Sequence, residues 1–179
     1  MSLKEKTINH IIKVEGGYVD DPNDSGGETN WGITVKVARD YGYTRAMIDM
    51  PKEIAFDIYE EMYWASMELD EVEKYSALVA EEMADTGVNM GVGRASTFLQ
   101  IALNALNNQG EYYADIAEDG DIGRGTLKAL DAYQKKRGLE GMEVLAKALN
   151  GQQIAFYIDL TRRRQKDERF LYGWLKNRA

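Results

Sequence analysis

Helical periodicity runs through most of this chain and breaks decisively in one early place, and that contrast limits the fold more than any other feature. Ile8, Ile11, Ile12 and Glu15 follow an i, i+3, i+4, i+7 spacing, the stripe of an amphipathic helix ending on a carboxylate. Gly16-Gly17 stops that helix. The stretch from Asp20 to Gly27 is crowded with turn formers, and Thr29-Asn30-Trp31-Gly32-Ile33-Thr34 then suits a short strand or hairpin. Beyond Pro51, the second of only two prolines, helical stripes return over 54–64, 78–87, 98–106, a segment holding Leu127 and Leu130, 142–149 and 152–176. Residues 107–110 read as a turn and 119–125 as a second glycine-rich loop. The expectation is a mainly α fold with a small β-hairpin or loop excursion near residues 18–34.

Composition removes several chemistries. The 179 residues include no Cys and one His, His10, so disulfides, cysteine nucleophiles and cysteine metal clusters are excluded. A zinc site would need three carboxylates around His10, an unusual ligand set. The loop from Asp119 to Gly125 fails as an EF-hand, with Gly123 at its fifth position and Leu130 at its twelfth. No metal and no cofactor is expected. Carboxylates are abundant, 30 Asp plus Glu, so an enzyme of this composition runs on Asp or Glu.

The net charge of −8 is unevenly spread. Residues 151–179 hold seven bases and three acids, net +4, which leaves −12 on the first 150 residues. An acidic body repels phosphate, so no nucleic-acid partner is expected. The basic end could meet an anionic surface, including a membrane if Arg162-Arg163-Arg164 and the aromatics around them form an interfacial helix. No secretory signal and no membrane span is legible, so the expectation is a product made in the cytoplasm, with delivery by another factor if its target lies outside the membrane. A monomer is the default.

The informative segment is Glu15 to Thr34. Glu15 sits where an apolar helical face meets a glycine break, the half-buried setting in which a general acid works. Asp24 follows on a polar loop, and Thr29 carries a hydroxyl able to hold a water. Two carboxylates in contrasting surroundings plus a water-positioning hydroxyl suit glycosidic bond cleavage. Glu28 is a rival second carboxylate, whereas Asp20 and Asp21 read as turn residues. Sugar subsites use flat apolar faces edged with amides, which makes Tyr18, Trp31, Tyr63 and Trp64 candidates, with Asn30 and Asn89 for acetamido groups.

The string Glu15-Gly16-Gly17-Tyr18, then Asp21 through Thr34 without a gap, closely resembles the signature of glycoside hydrolase family 108, the N-acetylmuramidases of phage endolysin type. Tyr63-Trp64, Asp85, Asn89, Gly91 and Leu99-Gln100 follow the family's order. The stretch from Asp119-Gly120-Asp121-Ile122-Gly123 to Gly173-Trp174 is similar to the predicted peptidoglycan-binding region that accompanies the catalytic part. Thr86-Gly87 departs, standing where the family more often has apolar residues.

The resemblance implies a lysozyme-like helical region over 1–106 and a helical peptidoglycan-binding region over 107–179. It also implies a muramidase acting on the β-1,4 bond between N-acetylmuramic acid and N-acetylglucosamine. The family's catalytic Glu maps onto Glu15. Asp24 and Thr29 carry over through a broader likeness to phage lysozymes of the T4 type, whose second spacing is one residue longer, and by that analogy the reaction inverts. The implied partner is the peptidoglycan glycan strand. A lytic transglycosylase and a non-catalytic wall-binding module are the alternatives.

Overall fold

The computed structural model describes residues 1–20 and 27–178, with side-chain surroundings through Lys176. The chain forms two compact units, Met1–Ser66 and Met67–Ala179. Both are built mainly from helices, and the sheet is a single two-stranded antiparallel pair among the described residues.

The first unit opens with α1 (Leu3–Glu15). Ser2 caps it in a reciprocal box: its hydroxyl accepts from the Glu5 N–H while the Glu5 carboxylate accepts from the Ser2 N–H. The stripe read from the sequence is the buried face, Ile8, Ile11 and Ile12. Beyond it, β1 (Thr29–Asn30) pairs with β2 (Ile33–Thr34) in the register Thr29 to Thr34 and Asn30 to Ile33. Val19 adds a bridge to Thr29, so the returning chain is tied to the strand before the hairpin. The Thr34 hydroxyl caps α2 (Val35–Tyr41), a 3-10 turn spans Met47–Asp49, and α3 (Lys52–Tyr59) starts just after Pro51. This helix runs on into a π-helical turn, Glu60–Trp64, a form common at functional sites. Helix α3 and the π turn pack on α1, and Lys4 to Glu60 (2.9 Å) and Lys52 to Asn9 (2.8 Å) brace that contact.

The second unit contains α4 (Leu69–Glu73), α5 (Ala77–Met90), α6 (Val92–Ala105), α7 (Arg124–Arg163) and α8 (Glu168–Arg178). Helices α5, α6 and α7 pack mutually around Val79, Met83, Leu99, Leu103, Leu130 and Leu145. The sequence pattern separates 142–149 from 152–176, but the helix passes through Gly151 unbroken and ends at Arg163. The break inside α7 falls instead at Gly138, with φ 63° and ψ −154°, a backbone region that only glycine enters cheaply. The Thr86-Gly87 departure has a local reason. A Cβ on Gly87 would stand 2.6 Å from the Met67 methyl, and the Thr86 hydroxyl accepts from Gln153 (3.2 Å). No described helix is long and apolar enough to cross a membrane.

Candidate active site

Glu15 is the last residue of α1, half-buried, with Gly16 turning the chain away behind it. The hairpin between β1 and β2 supplies its seat. Trp31 and Gly32 form the two-residue turn with φ of 54° and 77°, both left-handed, the pattern of a type I′ hairpin. Gly32 lies directly on Glu15: a Cβ there would stand 2.6 Å from Glu15 Cβ, 2.7 Å from its Cγ and 2.6 Å from the Tyr59 hydroxyl. The position therefore needs glycine twice, for its backbone and for the space.

Trp31 is a bulky residue in a conformation costing about 1–2 kcal/mol, and three groups hold it there. Its indole N–H donates to the Met50 carbonyl (2.9 Å), and Tyr59 Oη donates to its own carbonyl (3.1 Å). Its neighbour Asn30, 3% exposed, donates to the Met47 carbonyl (2.7 Å). Asn30 thus braces the hairpin on the 3-10 turn. Strain kept by surrounding contacts is characteristic of functional sites.

Tyr63 completes the surroundings of Glu15. Its ring lies 5.3 Å from that of Tyr59, and burial first, then the nearby Glu15 charge, push its phenol above the usual tyrosine range. Trp64, by contrast, is 1% exposed and belongs to the buried interior. Tyr18 stands partly exposed on the chain leaving α1. Partial desolvation first, then the Glu28 and Asp20 charges and a hydrogen bond it donates to Glu28, raise its phenol. Glu28 therefore has a partner in Tyr18. Thr29 pairs with Val19 through its backbone (2.9 and 2.8 Å), and its hydroxyl donates to the Gly27 carbonyl (3.3 Å). Asp24 lies outside the described residues. His10 is exposed on α1.

One unit thus brings together Glu15, Trp31 and Tyr63 and places Tyr18, Thr29 and Asn30 on the same hairpin excursion. Asn89 lies in the other unit, on α5, where its amide donates to the Asp85 carbonyl (2.7 Å) and Gln153 holds the Asp85 carboxylate (3.0 Å). Tyr59 and Gly32 are the participants that sequence reasoning left unassigned. The signals for them were present: Gly32 ends the hairpin's Asn-Trp-Gly, and Tyr59 stands one helical turn before Tyr63.

The second glycine-rich loop, 119–125, is organised by one buried amide. Gln100 Nε2 donates to Asp119 Oδ1 (2.8 Å) and the Asp121 carbonyl (2.9 Å), and its Oε1 accepts from the Gly120 N–H (2.8 Å). The Gln100 hydrogen bond, then that from the Asp121 backbone, hold the Asp119 carboxyl below its usual range. The described residues contain no group of three or more His, Cys, Asp or Glu side chains that could hold a metal ion.

Known families and a solved structure resemble this chain over nearly its whole length. The family model of glycosyl hydrolase 108 matches residues 8–91, and that of the predicted peptidoglycan domain matches residues 94–179. A solved structure of Brucella abortus SagA is similar over 97% of this chain and 87% of its own, at 27% identity and a TM-score of 0.73. No curated protein sequence matches. The chain thus carries a region of glycoside hydrolase family 108 over residues 8–91, followed by a predicted peptidoglycan-binding region over residues 94–179, the pairing of a peptidoglycan hydrolase.

Proposed function

We propose that the protein is an N-acetylmuramidase, hydrolysing the β-1,4 bond between N-acetylmuramic acid and N-acetylglucosamine, with Glu15 as general acid. The supporting observation is the seat of Glu15, a carboxylate-bearing side chain held between a constrained hairpin turn and the Tyr59–Tyr63 pair. A general acid must be fixed within hydrogen-bond reach of the leaving oxygen, and a side chain pinned at its Cβ and Cγ loses little entropy in getting there. Glu15 gives its proton to that oxygen as oxocarbenium character develops on the sugar. Asp24 is the proposed base for a water steadied by Thr29, which inverts the anomeric centre. Glu28, beside Thr29 in the sequence, is the rival base. Tyr18, Trp31 and Tyr63 offer aromatic faces to the sugars.

Zymography on purified peptidoglycan with wild type and Glu15→Gln tests the assignment. Clearing by wild type and at least a ~10²-fold loss in the variant are expected; full clearing by Glu15→Gln removes Glu15 from the mechanism. Mass spectrometry of the products separates the chemistries. Reducing muramic acid ends support a muramidase, reducing glucosamine ends move the cut to the other bond, and 1,6-anhydro ends indicate a lytic transglycosylase. The biological setting we propose is that of a phage-type endolysin, monomeric and delivered to the wall by a separate factor such as a holin. Lysis of a host expressing the protein only when a holin is co-expressed would support that setting, and lysis without one would remove it.

A further inference from the structure

The second unit carries a feature that hydrolysis at Glu15 does not use. Four aromatic rings, three of them stacked, run between two guanidinium groups. Arg94 lies 4.2 Å above the Phe156 ring, and Phe156 neighbours Tyr157 at 6.5 Å. Tyr157 stacks on Trp174 at 5.0 Å, Trp174 on Phe170 at 5.9 Å, and Arg169 caps Phe170 at 4.5 Å. Part of this ladder is packing: Tyr157 is buried, and its stack on Trp174 fastens α8 to α7. Packing does not account for the rest. Phe170 is 44% exposed and Tyr172 is 78% exposed, both on α8. Arg162, Arg164, Lys166 and Arg169 are exposed on the same stretch, while Arg163 is paired with Asp159 (2.5 Å). Apolar rings left in water forgo burial and add nothing to the core.

We propose that this arginine-ended aromatic ladder and the bases beside it form a docking surface for peptidoglycan strands. Exposed rings would take sugar faces, and guanidinium and ammonium groups would take the strand's carboxylates. Charge selects the occupant. Residues 151–179 carry +4 in a chain whose first 150 carry −12, so this is the surface on which a carboxylate-bearing polymer meets attraction. Geometry separates the glycan from an anionic bilayer. An interfacial helix needs one continuous apolar face to sink into lipid. Here Tyr157 and Trp174 are spent on each other, and what stays open is single rings beside cations, the size of one sugar face each. The inference rests on the reading of the chain as a wall-directed protein, but it concerns binding and not bond cleavage.

The test is cosedimentation of the full chain with purified sacculi stripped of attached polymers, on ice, at stepped salt concentrations. Wild type should sediment, and added salt should weaken it. The triple variant Arg162→Glu/Arg164→Glu/Arg169→Glu should need about tenfold more protein for half-saturation, and Tyr172→Ala about threefold more. Capping sacculus carboxyls with carbodiimide and glycinamide should weaken wild type by the factor seen for the triple variant. Circular dichroism melts check folding, and Tyr172→Ala alone carries the comparison if the triple variant melts early. Undiminished binding by folded variants, or by wild type on capped sacculi, overturns the proposal. Binding to vesicles of phosphatidylcholine and phosphatidylglycerol in place of sacculi overturns it in favour of a membrane. Cleavage of soluble muropeptides by the same variants is read separately: its absence in wild type would sink the muramidase assignment and leave the docking result standing.

Discussion

Replacing Gly32 by Ala attacks the seat of Glu15 without touching a carboxylate. Two costs follow from the structure. The first is backbone: alanine at φ 77° pays about 1–2 kcal/mol for a left-handed conformation. The second is contact. The new methyl would stand 2.6 Å from Glu15 Cβ and 2.6 Å from the Tyr59 hydroxyl. Carbon atoms settle at about 3.5–4.0 Å, so one partner must move by roughly 1 Å, at an overpacking cost of about 1–3 kcal/mol. Gly42, the C-cap of α2, separates the two costs. Its φ is 101°, yet nothing lies within 4 Å of a Cβ built there, so Gly42→Ala carries backbone strain alone. Urea unfolding should show Gly32→Ala less stable than Gly42→Ala by the contact cost, about 1–3 kcal/mol. Turnover of soluble muropeptides should fall about 10²-fold in Gly32→Ala, the penalty of a catalytic group displaced by 1 Å, and stay near wild type in Gly42→Ala. Equal stabilities and equal rates would refute the idea that the hairpin turn positions Glu15.

Three further perturbations probe other parts of the argument. Tyr59→Phe removes the hydroxyl that holds the Trp31 carbonyl at 3.1 Å; it should cost about 1 kcal/mol and lower turnover more than binding, and a fall in affinity with turnover intact would contradict this. Gln100→Ala strips partners from the Gly120 N–H and Asp119 at once, so a loss of about 2–4 kcal/mol in chemical unfolding is expected, and a change below 1 kcal/mol would show the loop is held otherwise. Glu82, on α5, has its carboxyl pushed up to about 7 by burial first and then by Asp85, against a smaller opposing hydrogen bond from Asn150; Glu143 and Lys147 of α7 line the same groove. The folded state therefore binds an extra proton between about 4.5 and 7, stability is greatest in mild acid, and it falls as pH rises through about 7. Glu82→Gln should flatten that slope and gain on the order of 1–2 kcal/mol at pH 8, allowing for partial exposure; an unchanged slope would assign it to other groups.

What could be read from the sequence, and what could not, divides along the range of the interactions. The stripe Ile8, Ile11, Ile12 became the buried face of α1 because helical periodicity is set by neighbours three and four residues away. The crowded turn formers and the Thr29–Thr34 run gave a hairpin excursion for the same local reason. Asn30 and Trp64 show where such reasoning stops. An amide and an indole look alike in sequence whether they meet a sugar or the interior, and only the fold brings the Met47 carbonyl to Asn30, 17 residues away. Gln100 teaches the same through partners 19 to 21 residues distant, and α7 through Gly151, which lies between two stripes read as separate yet sits inside one helix. The placement of Glu15 falls between these cases. Its carboxylate was legible from the end of a stripe and a glycine break, but a carboxylate at a helix end is ordinarily a solvated charge. What sets this one apart is the hairpin's bare α-carbon 17 residues on, and that contact required Trp31 to accept strain which Met50 and Tyr59 then hold. Local sequence can nominate an acid; the strain stored across the chain from it is the physical sign that the acid is being positioned.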